Sequence, residues 1–183
     1  MDRKQLLRMI PRDRDDVTAA NELLELGFPE IAPILREMLY CLRVSKSPVA
    51  DIFCNFFAIL GSSDKSKLTI PVQQGRRRLA DCSVVDAIAS ALSCHNTQES
   101  IRNRIVTDIL PYWTKENIVP LTSNLSMIAT WPDCLNSDLL SLKLLLRHNL
   151  VDMNWIRQWL QFKIDHLKKR GELIAEIQSE LEI

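Results

Sequence analysis

Cysteine and histidine residues are the first candidates for chemistry in this sequence. Cys94 and His95 are adjacent, but neighbouring residues on a helix or turn point in different directions, so we do not expect a catalytic pair. His148 and His166 lie on separate predicted helices, at a spacing unrelated to that of metal ligands. Motifs for phosphate binding, zinc proteolysis and serine hydrolysis are absent. The sequence therefore predicts no catalytic, metal-binding or cofactor-binding residues, and no cofactor.

The cysteines do not form a recognisable framework. They are Cys41, Cys54, Cys82, Cys94 and Cys134. Their number is odd, and no pair has the CxxC spacing of a zinc or redox motif. Cys41 and Cys54 lie among large apolar residues, and we expect both to be buried as small hydrophobic side chains.

Two clusters of like charge are candidates for binding a partner. The acidic cluster consists of Asp13, Asp15 and Asp16, and the basic cluster consists of Arg76, Arg77 and Arg78. The acidic cluster precedes a predicted helix, so its carboxylates either cap that helix and interact with its dipole or contact a partner. The basic cluster either contacts phosphate or an acidic partner, or fans out around a helix into solvent.

A pair of tryptophans is the third candidate for partner binding. Trp155 and Trp159 are four residues apart and so share one face of a predicted helix, with Phe162 close to the same stripe. Such a stripe either packs against the preceding helical hairpin or, where it is exposed, anchors an interface.

The composition is typical of a soluble globular protein. Of 183 residues, 46% are apolar and 25% are charged, which is too apolar for a disordered chain. Lys plus Arg balance Asp plus Glu at 23 each, which argues against a chain whose main role is to coat nucleic acid or an acidic membrane. No apolar run is long enough to span a bilayer, and the N-terminus does not resemble a secretory signal. We expect a cytoplasmic protein that does not bind membranes.

The elements that carry these residues are predicted to be helices. Glycine is scarce, at 4 residues, and apolar residues recur at helical spacing along most of the chain. The predicted helices cover residues 14–26, 33–43, 48–61, 83–92, 98–110, 115–129, 137–150 and 154 onward, with a break at Gly171. Gly27 is the predicted stop of the first, and Ser47 with Pro48 is the predicted start of the third. Together with a flawed helix at 70–80, the pattern predicts about nine helices and no sheet.

A proline motif repeats along the chain. Pro33 lies within EIAPILREML, residues 30–39, and Pro120 holds the same place within ENIVPLTSNL, residues 116–125. A weaker copy surrounds Pro71. Each copy is followed by a loop and a second apolar helix, which is the pattern of an α-solenoid, where hairpins must stack to bury their apolar faces. A proline costs little at a helix start and bends the helix a turn further in.

These repeats are similar to HEAT repeats, whose first helix carries a proline and whose second ends in a motif like FFAILG, residues 56–61 here. Further stretches resemble a bacterial family of helical domains of unknown function. The matching stretches are IPRD at 10–13, Asp16, LELGFP at 24–29, IAPIL at 31–35, SPVADIFCNFFAILG at 47–61, and residues 101–132. Ser47 stands where that family commonly has a tryptophan.

The resemblance implies a fold: an all-α, short right-handed α-solenoid of HEAT-like helical hairpins. We expect a single domain over residues 1–183, with an expanded, irregular repeat at 62–97 and capping helices at 150–183. Leu35 and Phe56 are expected to be buried between hairpins.

The resemblance also implies a function. Related helical proteins occur beside bacterial toxins as immunity proteins, so we expect a non-enzymatic protein-binding module that neutralises a cognate toxin domain, such as a nuclease. The alternative is a HEAT-like nucleic-acid-binding protein or a DNA glycosylase-like repair protein, against which the neutral charge weighs. Its basic concave surface would be lined by Arg76 to Arg78, Arg102, Arg104 and Lys115.

Overall fold

The computed structural model describes residues 1–44, 46–62, 77–93, 99–130 and 135–167, and the regular elements within these ranges are all helical. When helical turns that adjoin in sequence are counted together, these described residues form nine helices, which cover 3–9, 17–25, 28–43, 48–61, 77–93, 99–112, 115–130, 135–147 and 153–167. The predicted all-α class, with about nine helices and no strand, is confirmed for this part of the chain. None of these helices combines the length and the apolar character that a membrane crossing requires.

Some sequence predictions fall outside the described residues. They are the proline copy around Pro71, the helix break at Gly171, the positions of Arg76, Cys94, His95 and Cys134, and the side chains of Cys82, Phe162 and His166.

The chain divides into two compact units, Met1–Leu121 and Thr122–Ile183. The α-helices of the first unit are α1 (Arg3–Met9), α2 (Val17–Glu25), α3 (Phe28–Ile31), α4 (Leu35–Tyr40), α5 (Pro48–Gly61), α6 (Arg77–Ser93), α7 (Glu99–Arg104) and α8 (Lys115–Ile118). Shorter 3-10 turns cover Ala32–Ile34, Cys41–Arg43, Leu110–Tyr112 and Val119–Leu121, and a π-helix covers Ile105–Ile109. The right-handed solenoid and the single domain over 1–183 stay predictions.

Side-chain caps determine where α2 and α5 begin. Asp16 Oδ1 accepts a hydrogen bond from the Ala19 backbone N–H at 3.1 Å, so α2 begins after Asp16 and not at the predicted residue 14. Ser47 Oγ accepts from the Ala50 N–H at 3.2 Å, and Pro48 occupies the first turn of α5. The predicted start of α5 is therefore confirmed. Both caps satisfy backbone donors that the first helical turn leaves without intrahelical partners.

Gly27 separates α2 from α3. Its φ of 83° lies in a region that glycine reaches without the steric cost of a Cβ. Its N–H donates to the Leu24 carbonyl oxygen at 3.1 Å, which closes the end of the preceding helix. The predicted stop at Gly27 is therefore confirmed.

The two proline motifs have the same local structure. Pro33 and Pro120 each lie in a 3-10 turn that follows a four-residue α-helix and precedes a longer one. A 3-10 turn suits both positions, because proline lacks the N–H of a regular α-helical hydrogen bond and its ring crowds the carbonyl one turn back. Three of the matched apolar pairs are fully buried, and they are Ile31 and Ile118, Ile34 and Leu121, and Met38 and Leu125. In the fourth pair Ala32 is half-buried and Val119 is exposed. The sequence repeat is therefore also a repeat of local structure and burial.

The core of the first unit surrounds α5. This helix packs against α2, α6, the Cys41–Arg43 turn, the π-helix and the Leu110–Tyr112 turn. Its buried side chains are Val49, Ala50, Phe53, Cys54, Phe56, Phe57, Ala58 and Leu60. Phe56 packs edge-on against Phe57, with ring centroids 5.4 Å apart. Leu35 and Phe56 are 2% and 4% exposed, so their predicted burial is confirmed.

The C-terminal end of α5 is held by Trp113. The indole N–H of Trp113 donates to the Phe57 carbonyl oxygen at 3.0 Å, and the ring lies against Gly61. A Cβ built on Gly61 would lie 2.3 Å from three atoms of that ring, so only glycine allows the ring this close. The Gly61 carbonyl oxygen also accepts from the Thr114 N–H at 3.0 Å and from Asn117 Nδ2 at 2.9 Å.

The second unit contains α9 (Thr122–Thr130), α10 (Leu135–Arg147) and α11 (Met153–Leu167), and α9 packs against the other two. Helix α10 ends at Arg147 and is followed by a left-handed residue, Asn149, with φ of 52°. The Leu150 N–H then donates back to the Leu145 carbonyl oxygen at 2.9 Å, as in a Schellman-type stop. The helix therefore ends before the predicted residue 150.

Candidate functional site

The predicted acidic cluster is built mainly by local hydrogen bonds. Asp16 is the cap of α2, and Asp13 Oδ1 accepts from the Asp15 backbone N–H at 3.3 Å. The Asp15 carboxylate lies 3.4 Å from Arg14 Nε. The capping interpretation is confirmed for Asp16, while Asp13 and Asp15 are exposed. A role of the three aspartates in partner binding stays a prediction.

The other predicted partner-binding residues belong to different units of the chain, and each group is described by itself. Arg77 and Arg78 begin α6, but their side chains, like the whole of Arg76, lie outside the described part of the structure. Trp155 is half-buried, and Trp159 is buried, with its indole N–H donating to the Ala129 carbonyl oxygen at 2.5 Å. The Trp159 ring therefore packs between α11 and α9, and its role in binding a partner stays a prediction.

An ion-pair cluster that the sequence did not suggest joins α5 to α7. Arg104 Nη2 lies 2.5 Å from Asp51 Oδ1, and Arg104 Nε lies 2.9 Å from Asp108 Oδ2. Burial lowers the pKa of Arg104, but hydrogen bonds to both carboxylates raise it more, so the net direction is upward. Arg104 ends α7 and Asp108 lies in the π-helix, an element often found at functional sites.

The nucleophile nearest to this cluster is the Cys54 thiol, whose Sγ lies 4.0 Å from Asp108 Oδ2. Burial raises the pKa of the Cys54 thiol to about 12, and the nearby Arg104 only partly offsets this. The thiolate is the reactive form, so this side chain is inert near neutral pH. The cluster therefore joins two helices and does not assemble an activated cysteine.

We expect Cys54 to resist alkylation in the folded protein. Cys41 is half-buried whereas Cys54 is buried, although burial raises the pKa of the Cys41 thiol as well. Brief treatment with iodoacetamide at pH 8, followed by mass spectrometry, should label Cys41 well before Cys54, because Cys54 is both buried and protonated. In denaturant the two should be labelled equally. Faster labelling of Cys54 in the folded protein would contradict its placement.

The exposed face of the rod at residues 28–43 carries a different kind of cluster. Arg36, Tyr40 and Arg43 have the i, i+4, i+7 spacing of one helix face, and all three are exposed. Tyr40 is 52% exposed, and Arg43 Cζ lies 4.5 Å from its ring centroid, in cation–π contact. The opposite face of the same rod is the buried one. These three residues, together with Arg12, are called the Tyr40 surface below.

Tyr40 stands between two shallow depressions. The first, of about 170 Å³, is lined by Arg36, Leu39, Tyr40, Ala87, Ser90, Ala91 and Ile101. The second, of about 90 Å³, is lined by Pro11, Arg12, Asp13, Arg14, Tyr40, Cys41, Arg43, Val44, Ser47 and Val49. Both depressions lie in the first unit. The Tyr40 side chain separates the first depression, which has a mainly apolar lining, from the second, which is lined by several charged residues.

The loop that brings Arg12 to this surface is fixed by the start of α5. Ser47 Oγ donates to the Arg14 carbonyl oxygen at 2.8 Å, and the Val49 N–H donates to the same oxygen at 3.3 Å. The cap of α5 therefore also positions the 11–14 loop beside Arg43. The sequence contained a usable signal for the Tyr40 surface, namely two arginines spaced around a tyrosine on the polar face of a predicted helix.

Within the described ranges, no three His, Cys, Asp or Glu side chains are placed to hold a metal ion. Comparison of the chain with protein-family models, with curated proteins and with solved structures finds no match. The resemblance to HEAT-like bacterial domains stays a prediction.

Proposed function

We propose that this protein is a non-enzymatic module that binds another protein through the Tyr40 surface. The observation that carries the proposal is an exposed tyrosine, stacked by Arg43, between two depressions on a helix face. Tyrosine and arginine are enriched among the residues that contribute most to the energy of protein interfaces, because each combines a large contact area with hydrogen-bonding groups. The opposite face of the same segment is buried in the core, through Leu35, Met38 and Leu39, and this holds the surface in place.

The more specific proposal is an immunity protein that neutralises a cognate bacterial toxin domain, such as a nuclease, in the cytoplasm. Its support is the sequence resemblance to helical proteins that occur beside toxins. Masking a toxin requires shape and charge complementarity over an interface of about 1,600 Å² if it is of standard size. It requires no catalytic residue in the inhibitor.

The test is to co-express the chain with the product of the neighbouring gene and measure protection of the cells. Tyr40→Ala should weaken capture of the partner at least about tenfold, because it removes the central ring of the interface. Tyr112→Ala is the matched control, since Tyr112 is 64% exposed at another place in the first unit. A chain that captures no protein and gives no protection would contradict the proposal.

Nucleic-acid binding is the second candidate, favoured by the exposed arginines around Tyr40, on which a base could stack. Two of the arginines in its predicted basic surface are placed otherwise: Arg102 is buried, and Arg104 is paired with Asp51 and Asp108. Binding of an oligonucleotide that falls steeply with salt would favour this candidate, and a flat response or no binding would exclude it.

A further inference from the structure

We infer that the Tyr40 surface binds an acidic segment of a protein partner, whose carboxylates pair with Arg12, Arg36 and Arg43. The inference rests on the proposed function and names the chemistry of its partner. It identifies the exposed face of residues 28–43, together with Arg12 on the adjoining loop, as the interface.

The first argument is that the three arginines of this surface form no ion pair with a described carboxylate of the chain. Arg3, Arg14 and Arg104 are each paired with a carboxylate of the chain. Arg12, Arg36 and Arg43 pair with no carboxylate in the part of the chain that the structure describes. A guanidinium group offers five N–H donors that match the two oxygens of a carboxylate. Three such groups around one exposed ring form a surface that is complementary to acidic side chains.

The second argument is the size of the depressions. Volumes of about 170 and 90 Å³ are below the roughly 300–1,000 Å³ of pockets that hold small molecules. They suit single side chains. The larger one has an apolar lining from Leu39, Ala87, Ala91 and Ile101, which fits an aliphatic or aromatic side chain next to the acidic ones.

The third argument separates a protein from a nucleic acid. Asp13 lines the smaller depression, and Asp15 stands beside it in sequence. Closely spaced phosphates would be repelled there, whereas a protein segment can place a neutral or basic residue opposite Asp13. The whole chain has no net charge, so no general attraction draws a polyanion to it.

The experiment uses the full chain and a fluorescent random copolymer of glutamate and tyrosine, with binding followed by anisotropy. We expect the double variant Arg36→Glu, Arg43→Glu to lose at least about tenfold in affinity for the copolymer. The substitutions replace attraction between arginine and the glutamates of the copolymer with repulsion between carboxylates. The matched control is Arg8→Glu, Lys115→Glu, which makes the same change in net charge at exposed positions that line neither depression. The control should change affinity less than about twofold. Equal unfolding midpoints would show that both variants fold.

Three results would overturn the inference. One is an equal loss of affinity in the control variant, and another is no binding of the copolymer at low salt. The third is tighter binding of a DNA oligonucleotide than of the copolymer, with that binding lost in the Arg36→Glu, Arg43→Glu variant, which would assign the surface to nucleic acid.

A separate measurement distinguishes this inference from the proposed function. If the charge-reversed variant still captures and neutralises the partner, the function stands and the inference is wrong. If the copolymer binds as expected but the chain has no protein partner and gives no protection, the inference stands and the proposed function is wrong.

Discussion

Trp113→Ala is expected to lower the free energy of unfolding by about 3–5 kcal/mol, the range for large-to-small aromatic substitutions in cores. Trp113 is 3% exposed, and its ring lies over Gly61 while its N–H satisfies the Phe57 carbonyl. The substitution leaves a cavity beside the end of α5 and removes that hydrogen bond. Urea denaturation followed by circular dichroism gives the change directly.

Tyr112→Ala is the control for this prediction, because Tyr112 is the adjacent aromatic residue and is largely exposed. It should change stability by no more than about 0.5 kcal/mol. A loss at Trp113 as small as that at Tyr112 would contradict the packing of the ring against α5.

The same contact can be tested from the side of Gly61. Gly61→Ala places a methyl group where Trp113 ring atoms lie, and overpacking of this kind costs about 1–3 kcal/mol. Alanine would otherwise favour a helical position over glycine, so the clash reverses the sign expected from helix propensity. In a Trp113→Leu background the penalty should largely disappear, because the leucine side chain is smaller and more flexible than the indole. An equal penalty in both backgrounds would exclude the clash as its cause.

Leu35→Ala is expected to cost about 2–5 kcal/mol of unfolding free energy, as other truncations of buried leucines do. Leu35 begins α4 directly after the Pro33 turn, and its side chain is buried on the core face of the rod. Thermal and urea unfolding measure the loss.

The neighbouring substitution Arg36→Ala is the control for Leu35→Ala. Arg36 is exposed on the opposite face, so its removal should change stability by no more than about 0.5 kcal/mol. If Leu35→Ala cost less than about 1 kcal/mol, the assignment of faces on this rod would be wrong. If Arg36→Ala leaves stability unchanged, a change in binding caused by a substitution of Arg36 can be attributed to the Tyr40 surface and not to unfolding.

The repeated proline motif was predictable in both its copies within the described residues. The alignment of Pro33 with Pro120 predicted equivalent apolar positions, and three of the four apolar pairs are fully buried in both copies. The pair of Ala32 and Val119 is the exception, because Val119 is exposed. The sequence predicted a bend at the proline, whereas the structure has a 3-10 turn that separates a short α-helix from a longer one. The missing proline N–H explains why the interruption falls there.

The Tyr40 surface and the Arg104 cluster were harder to predict. Arg36, Tyr40 and Arg43 were readable as one polar face, but the second depression depends on the 11–14 loop being tied to Ser47. Arg104 and Asp51 are separated by fifty-three positions in sequence. Only the tertiary structure, which places the end of α7 near α5, brings Arg104 Nη2 to 2.5 Å from Asp51 Oδ1. No spacing rule connects two such residues.

The sequence alone determined the helical class of the described residues, the end of a helix at Gly27, the start of a helix after Ser47, and the burial of Leu35 and Phe56. Each of these features follows from capping hydrogen bonds or from apolar periodicity within one helix. Both depend on residues that are close together in sequence. The tertiary structure alone decided that Trp113 packs against the C-terminal end of α5, that Arg104 pairs with Asp51, and that Tyr40 lies between the two depressions. These contacts depend on side chains far apart in sequence meeting when helices pack, and packing is selected by the whole core and not by any one segment.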